Sequence, residues 1–261
     1  MNRREFIKIS SSAMLIPSFS FSFKEKRSSF IDYARKNFKI NDYKHGIINF
    51  EPTANHYELA NIYDNQRFVL TKKYRQGGFS TMTLLWSIHQ CLINTNYSVL
   101  YLVKTDREAV YAKTRIIDCA INLMSPKPKI IKNNGREVIF GNGSNMCFSR
   151  PIAACGKATN CIIIDEAAFI PSLEKHFKAL WSLISTGGKL FMVSTPNGTH
   201  GFFYDSYKQA LQGQNKFFVY APSCYDHPWY NTPEKIAELK HNLGEKGFRQ
   251  ECEALFQDEP Y

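Results

Sequence analysis

One stretch of this 261-residue chain constrains the fold more than any other: an apolar run, a loop with two glycines, and a long apolar helical run. The segment RFVLT (67–71) is typical of a strand, and STMTLLWSIHQCLI, which begins at Ser80, is typical of a helix. Gly77 and Gly78 stand just before that helix, where backbone N–H groups can bind a phosphate. An ordinary tight turn has the same pattern, so the loop needs support from a second motif.

The lysine of this loop is displaced from its usual position. The common phosphate-binding loop, G-x-x-x-x-G-K-[ST], has its lysine directly after the second glycine. In this chain that position is Phe79, and Lys73 stands five residues before Gly78. Ser80 keeps the position whose hydroxyl contacts Mg²⁺. The loop is therefore a broken loop, a coincidence, or a working variant.

A second motif, CIIIDEAAFI (161–170), ends an apolar strand with two adjacent carboxylates. Ligands of open α/β sheets bind at the carboxyl ends of the strands, where Asp165 and Glu166 would lie. We expect Asp165, together with Ser80, to hold Mg²⁺, and Glu166 to orient and deprotonate an attacking water. A strand followed by an acidic helix cap is the alternative, and it explains one carboxylate better than two.

A third segment, FMVSTPNGTHGFFY, carries small polar side chains directly after a predicted strand. Ser194, Thr195 and Asn197 would contact the γ-phosphate or its water and transmit phosphate loss to the rest of the domain. Alone, the same residues also fit a simple turn with proline at its first central position.

The rest of the chain alternates short strand-like runs with longer helical ones, which indicates an α/β domain with a mostly parallel sheet. Residues 128–150 carry two Asn-Gly turn signals and predict antiparallel hairpins within that domain. We predict a basic N-terminal arm or small lobe over residues 1–45 and the main domain over residues 46–256. Residues 257–261 would begin a linker.

The composition of the chain indicates which class of partner it binds and in which compartment it lies. The chain has 33 basic and 23 acidic residues, a net charge of +10 that suits a polyanion such as nucleic acid, although a solvated basic face is an alternative. Its seven cysteines form no C-x-x-C pair, which favours free thiols in a reducing compartment. No run of eighteen apolar residues predicts a membrane span.

The first residues, NRREFIKIS followed by AMLIPSFSFSF, have the order of a twin-arginine export signal. The apolar part is short, Pro17 interrupts it, and no A-x-A site follows. We interpret this similarity as accidental.

Four segments in this order resemble the ATPase domain of the large terminase subunit, the DNA-packaging motor of tailed bacteriophages and herpesviruses. They are KKYRQGGFST, CIIIDEAAFIP, STPNGTHGFFYD and FRQECEALF, and the resemblance runs from about Tyr57 to Phe256. It implies a RecA/ASCE-like P-loop NTPase, an α/β fold with a mostly parallel sheet flanked by helices.

The resemblance also implies roles for single residues. Lys73 would fold back over the phosphates from the entrance of the loop, and Arg75 would act as an arginine finger in cis. Tyr57 would hold adenine, although Glu58 replaces the glutamine that the family has there. The phosphate loop would supply the other nucleotide contacts: Gln76, Gly77, Gly78, Phe79, Ser80 and Thr81.

The ligands that the resemblance implies are ATP and Mg²⁺. The implied partners are double-stranded DNA, a portal protein, a small terminase subunit and further copies of the chain in a ring, all in the host cytoplasm and without a membrane. Members of the family usually continue into a nuclease domain after the FRQECEALF segment, whereas the sequence here ends at Tyr261. We therefore expect ATP hydrolysis without DNA cleavage.

Two alternative functions remain open at this point. A helicase-like or repair ATPase has a similar Asp-Glu strand, but it would need a second lobe with an arginine-bearing motif. A decayed copy that binds DNA without hydrolysing ATP would explain the absence of lysine at Phe79.

Overall fold

The computed structural model describes residues 29–42, 44–153 and 158–258. The twin-arginine-like segment lies outside these residues. The described helices are α1 (Ser29–Asn37), α2 (Ala54–Asn65), α3 (Phe79–Ile93), α4 (Asp106–Ala112), α5 (Cys119–Asn122), α6 (Leu173–Leu183), α7 (Phe202–Leu211) and α8 (Pro233–Glu251). The strands are β1 (Lys39–Asp42), β2 (Gly46–Asn49), β3 (Phe68–Lys72), β4 (Ser98–Leu102), β5 (Ile130–Asn133), β6 (Glu137–Phe140), β7 (Asn145–Ser149), β8 (Cys161–Asp165), β9 (Lys189–Ser194) and β10 (Phe218–Tyr220).

Eight strands form one sheet in the order β10-β3-β9-β8-β4-β7-β6-β5, and β1 pairs with β2 in a separate hairpin. The strands from β10 to β7 are parallel, whereas β6 is antiparallel to both of its neighbours, β5 and β7. The predicted mostly parallel α/β sheet and the antiparallel hairpins of residues 128–150 are both confirmed.

Helices cover both faces of the sheet, because its central strands are apolar on both sides. Along β8, Ile163 packs into the core beneath α1, α2 and α3, while Ile162 and Ile164 pack into the core beneath α6 and α7. Alternate residues of one strand therefore pack into two different cores, and the polar residues Asp165 and Glu166 stand at and just after the end of β8.

The segment before residue 45 contributes to this packing. Phe30, Ile31 and Ala34 of α1 are completely buried in the main core, and α1 has Asp32 in its first turn and basic residues in its last, as the helix dipole favours. The boundary at residue 45 stays a prediction. Within the described residues, the core already includes α1, which precedes that boundary.

Two helices are irregular. The helix α4 is capped by Thr105, whose hydroxyl accepts the N–H of Glu108, and it gives way to a π-helical turn at Lys113–Asp118. The helix α8 ends at Glu251 and has non-helical backbone at Gly244. In the part of the chain that the structure describes, no helix is both long and apolar enough to cross a bilayer.

Candidate nucleotide-binding site

The phosphate loop connects β3 to α3 at the carboxyl edge of the sheet. A Cβ atom at Gly77 would lie 2.5 Å from ring carbons of both Tyr74 and Phe79. Gly78 has a φ of +74°, a conformation that side chains disfavour. Both glycines are therefore required by the backbone path that leads into the helix.

Phe79, at the usual lysine position, is only 1% exposed and packs edge-on against Tyr74. A charged side chain at this position would have to leave the core. The phosphate loop is thus built around a buried aromatic side chain at the position where the common loop has its lysine.

His56 of α2 also holds the phosphate loop, and it was not identified as a site residue from the sequence. Its Nε2–H donates to the carbonyl oxygen of Gly77 at 2.8 Å, and its Nδ1 accepts the N–H of Thr53 at 3.1 Å. Burial lowers the pKa of His56 to about 4, so the ring is neutral. The Thr-x-x-His spacing at the start of α2 is a sequence signal for the hydrogen bond between Thr53 and His56. The sequence carries no signal for the hydrogen bond between His56 and Gly77.

Lys73 and Glu166 meet in the structure. Lys73 Nζ lies 2.6 Å from Glu166 Oε1, and the lysine side chain is 7% exposed, against 42% for the glutamate. Glu166 has a φ of 49° and a ψ of 43°, the left-handed conformation that is rare for a residue with a side chain. Such local strain concentrates at functional sites, and here it turns Glu166 toward the loop.

Both carboxylate oxygens of Asp165 accept hydrogen bonds. Its Oδ1 accepts the hydroxyl of Ser80 at 3.0 Å and the N–H of Glu166 at 3.1 Å, and its Oδ2 accepts the hydroxyl of Tyr101 at 2.5 Å. Burial, followed by the charge of Glu166, raises the pKa of Asp165, and the ammonium of Lys73 opposes that rise.

The oxygen atoms of Asp165 and Ser80 fit Mg²⁺. This ion prefers hard oxygen ligands, and it is usually held by one or two carboxylates together with substrate phosphates and waters. One carboxylate and one hydroxyl 3.0 Å apart supply that kind of partial shell.

The last residue of β9 and the residues after it contact the loop that carries Glu166. The N–H of Ala168 donates to Ser194 Oγ at 3.1 Å, and Asn197 Nδ2 donates to the carbonyl of Ala168 at 3.2 Å. Ser194 and Thr195 are completely buried, and Ser194 Oγ lies 3.4 Å from Glu166 Oε2. Their direct contact with a nucleotide stays a prediction; the observed contacts run through Glu166 and Ala168.

Arg75 is attached to the end of α8. Its N–H donates to the carbonyl of Glu251 at 2.7 Å, and its guanidinium forms an ion pair with the carboxylate of the same residue. The hydroxyl of Tyr230 donates to the carbonyl of Arg75 at 2.7 Å. Because its side chain is 56% exposed, Arg75 can change partners, and its role as an arginine finger stays a prediction.

A cavity of about 830 Å³ lies beside the phosphate loop. Glu166 lines it together with every predicted site residue of that loop: Lys73, Arg75, Gln76, Gly77, Gly78, Phe79, Ser80 and Thr81. Three further walls come from the β1–β2 hairpin, from Lys104 after β4, and from His227 and Trp229.

Asp165, Tyr57 and the residues predicted after β9 are not among the described residues that line this cavity. Asp165 contacts the lining residue Ser80. Tyr57 is partly buried against the main core, and its neighbour Glu58 accepts the hydroxyl of Tyr220 at 2.9 Å. The adenine-binding role of Tyr57 stays a prediction, and Trp229 is one of the aromatic side chains that do line the cavity.

Solved structures with the same fold come from bacteriophage packaging proteins. The ATPase domain of the large terminase of Thermus phage P74-26 matches with a TM-score of 0.66 at 18% identity, over 80% of this chain and 95% of that domain. The HK97 bacteriophage large terminase matches with a TM-score of 0.70 at 11% identity, over 88% of this chain and 55% of that one.

The large terminase of a thermophilic bacteriophage, in complex with ATP-gamma-S, matches with a TM-score of 0.59 at 13% identity. That match covers 78% of this chain and 52% of the other. The chain thus spans about half the length of the HK97 protein and of this nucleotide-bound terminase. These likenesses confirm the predicted P-loop NTPase fold class.

The sequence also matches a family directly. Residues 73–259, which include the phosphate loop, the Asp165–Glu166 pair and the segment after β9, match the family described as "Terminase large subunit, T4likevirus-type, N-terminal". This match favours a packaging ATPase over the helicase-like alternative. The chain therefore belongs to the large terminase subunit family, and the part that matches is the T4-type N-terminal domain.

Proposed function

We propose that this domain binds Mg²⁺-ATP in the cavity beside the phosphate loop and hydrolyses it to drive the packaging of double-stranded viral DNA. The observation that carries the proposal is the convergence of Lys73, Ser80, Asp165 and Glu166 at one edge of the sheet, although they come from two distant segments.

The loop backbone and Lys73 would bind the phosphates. The first turn of α3 begins at Phe79, directly after the two glycines, and its free N–H groups and dipole favour an anion. Lys73 adds a full positive charge from the entrance of the loop. The phosphate groups would therefore lie between the N-terminus of α3 and the Lys73 ammonium.

Ser80 and Asp165 would hold Mg²⁺ against those phosphates. When bound, the ion supplies charge neutralisation on the phosphate oxygens. Ser80 contributes its hydroxyl and Asp165 its carboxylate, and the hydrogen bond between them already orients both.

Glu166 would orient the attacking water and accept its proton. Its carboxylate contacts Lys73 through Oε1 and the Ser194 hydroxyl through Oε2. A change at Lys73 can therefore pass through Glu166 to Ser194 and onward to Ala168 and Asn197. We propose this chain of contacts as the relay from phosphate loss to movement. Arg75 would leave Glu251 to stabilise charge on the transferred phosphoryl group.

The net charge of +10 supports a phosphate-gripping, sequence-independent contact with DNA that weakens as salt increases. By family, further partners would be identical subunits in a ring, a portal protein and a small terminase subunit in the host cytoplasm. We expect no DNA cleavage from these residues, because the family match is to the N-terminal domain.

The test is steady-state ATP hydrolysis by the purified chain, with and without double-stranded DNA, beside Glu166→Gln. The proposal predicts turnover by the parent chain, and a loss of at least about a hundredfold in Glu166→Gln with nucleotide binding retained. Unchanged hydrolysis in the variant would refute the role of Glu166. A folded parent chain that binds no nucleotide in Mg²⁺ would instead support the decayed, non-catalytic copy.

A further inference from the structure

Tyr101 is a buried tyrosine in contact with the proposed metal-binding carboxylate, and no sequence motif includes it. Its side chain is 0% exposed, and its hydroxyl donates to Asp165 Oδ2 at 2.5 Å. A buried tyrosine hydroxyl needs a partner, and a carboxylate is a strong acceptor. The hydroxyl is therefore committed to this single carboxylate.

The sheet fixes where this hydroxyl lies. Tyr101 of β4 is paired with Ile163 of β8, and Asp165 follows two residues later on the same face of that strand. On its other side, Tyr101 is paired with Phe148 of β7, whose ring lies 5.5 Å from the tyrosine ring. The tyrosine is thus held between two strands and directed toward the carboxyl edge.

The hydrogen bonds divide the two oxygens of Asp165. Tyr101 occupies Oδ2, whereas Oδ1 accepts the hydroxyl of Ser80 and the N–H of Glu166. Oδ1 is therefore the oxygen that faces the phosphate loop. A hydrogen bond to the other oxygen of a ligating carboxylate fixes its orientation and tunes the metal affinity.

We propose that Tyr101 is a positioning residue that orients the Asp165 carboxylate for Mg²⁺. The inference rests on the proposed function, in which Asp165 and Ser80 hold that ion. It differs from a purely structural tie between β4 and β8, because a tie would stabilise the fold without affecting how strongly Mg²⁺ promotes nucleotide binding.

Tyr101→Phe removes the hydroxyl alone, and Tyr63→Phe is a matched control. Tyr63 is also 0% exposed, and its hydroxyl bonds to Thr83 at 3.1 Å rather than to Asp165. A fluorescent non-hydrolysable ATP analogue would be titrated with MgCl₂ and, separately, bound in EDTA, under conditions where thermal unfolding shows every protein folded.

Tyr101→Phe should raise the half-saturating Mg²⁺ concentration about tenfold and leave binding in EDTA unchanged. Tyr63→Phe should change neither. Phe148→Leu keeps the Tyr101 hydroxyl but loosens its ring, and it should raise the half-saturating concentration by a smaller factor, which provides a second test should Tyr101→Phe not fold.

The inference is overturned if the Mg²⁺ dependence is unchanged in both Tyr101→Phe and Phe148→Leu. It is also overturned if Tyr101→Phe weakens binding equally in EDTA and in Mg²⁺, because that pattern indicates general damage to the site. A parent chain that binds no analogue in Mg²⁺ would overturn the proposed function itself, and this inference with it.

Discussion

The Nζ atom of Lys73 lies 2.6 Å from Oε1 of Glu166, although the two residues follow strands that are not neighbours. β9 lies between β3 and β8 in the sheet, so the lysine reaches past the end of a whole strand. Its backbone is fixed there, because the N–H of Lys73 donates to the carbonyl of Ser194 at 2.9 Å. This geometry supports the proposal that Lys73 serves the loop that has Phe79 at the usual lysine position.

Gly77→Ala should distort the phosphate loop. The new Cβ atom would lie 2.5 Å from ring carbons of Tyr74 and Phe79, both of which are buried. We expect a loss of about 1–3 kcal/mol in the free energy of unfolding, measured by urea denaturation, and weaker nucleotide binding. Gly135→Ala is the control, because nothing lies within 4 Å of its added Cβ. Equal costs at the two sites would refute crowding as the cause.

The neutral state of His56 predicts an acid-sensitive fold. Its pKa is lowered from 6.5 to about 4 by burial, so below pH 6.5 the unfolded chain takes up a proton that the folded protein resists. This contribution to stability is complete above pH 6.5 and falls as the pH drops toward 4, by up to about 3 kcal/mol.

His56→Gln removes the titration and tests this linkage. Denaturant unfolding between pH 7 and 4.5 should show a smaller loss of stability in His56→Gln than in the parent chain. His241→Gln, which removes an exposed histidine, should follow the parent. An equally steep loss in His56→Gln would assign the acid sensitivity to other groups.

Arg75→Ala should reduce ATP turnover in a protein that still folds. The Arg75 side chain is 56% exposed but its partner Glu251 is only 8% exposed, so the substitution leaves a buried carboxylate without its cation, and we expect a loss of about 1–3 kcal/mol in the free energy of unfolding. Loss of an arginine finger typically costs about a thousandfold or more in turnover. Arg136→Ala, which removes an arginine 53% exposed and paired with Asp106, is the matched control. Similar turnover in the two variants would argue against Arg75 as the finger.

Ser194→Ala should weaken the contacts that connect Glu166 to Ala168. The substitution leaves the N–H of Ala168 without its acceptor, at a cost of about 1–3 kcal/mol. Ser87→Ala removes an equally buried hydroxyl that bonds only within α3. DNA-stimulated hydrolysis should fall in Ser194→Ala beyond any change in Ser87→Ala. Equal rates in both variants would contradict the relay.

The sequence was sufficient to predict β3, β8 and the loops after them, because four apolar residues before Asp165 and two glycines before α3 are local signals. It could not predict the contacts of His56 and Tyr101. Both sets of contacts depend on which strands and helices become neighbours. A single histidine or tyrosine among apolar residues usually packs in the core without a functional role. Ser80 and Asp165 were expected to hold Mg²⁺ together, and the structure brings them into contact because the loop after β3 and the end of β8 lie at the same edge of the sheet.

The α1 helix was missed for a different reason. It has only three fully buried apolar residues, and basic residues follow them, so its composition resembles a solvated arm. Its burial depends on the apolar faces of α2 and α3. Tyr57 was assigned to adenine through family resemblance, and the β1–β2 hairpin and Trp229, which do line the cavity, carried no motif.

The most direct test of Lys73 as the phosphate-binding lysine is equilibrium binding of a non-hydrolysable ATP analogue in Mg²⁺. Lys73→Ala would be compared with the parent chain and with Lys178→Ala, which removes an exposed lysine of α6. We predict that binding weakens at least about tenfold, or 1.4 kcal/mol, in Lys73→Ala, and that Lys178→Ala binds like the parent. Parent-like binding by a folded Lys73→Ala would contradict the assignment of Lys73.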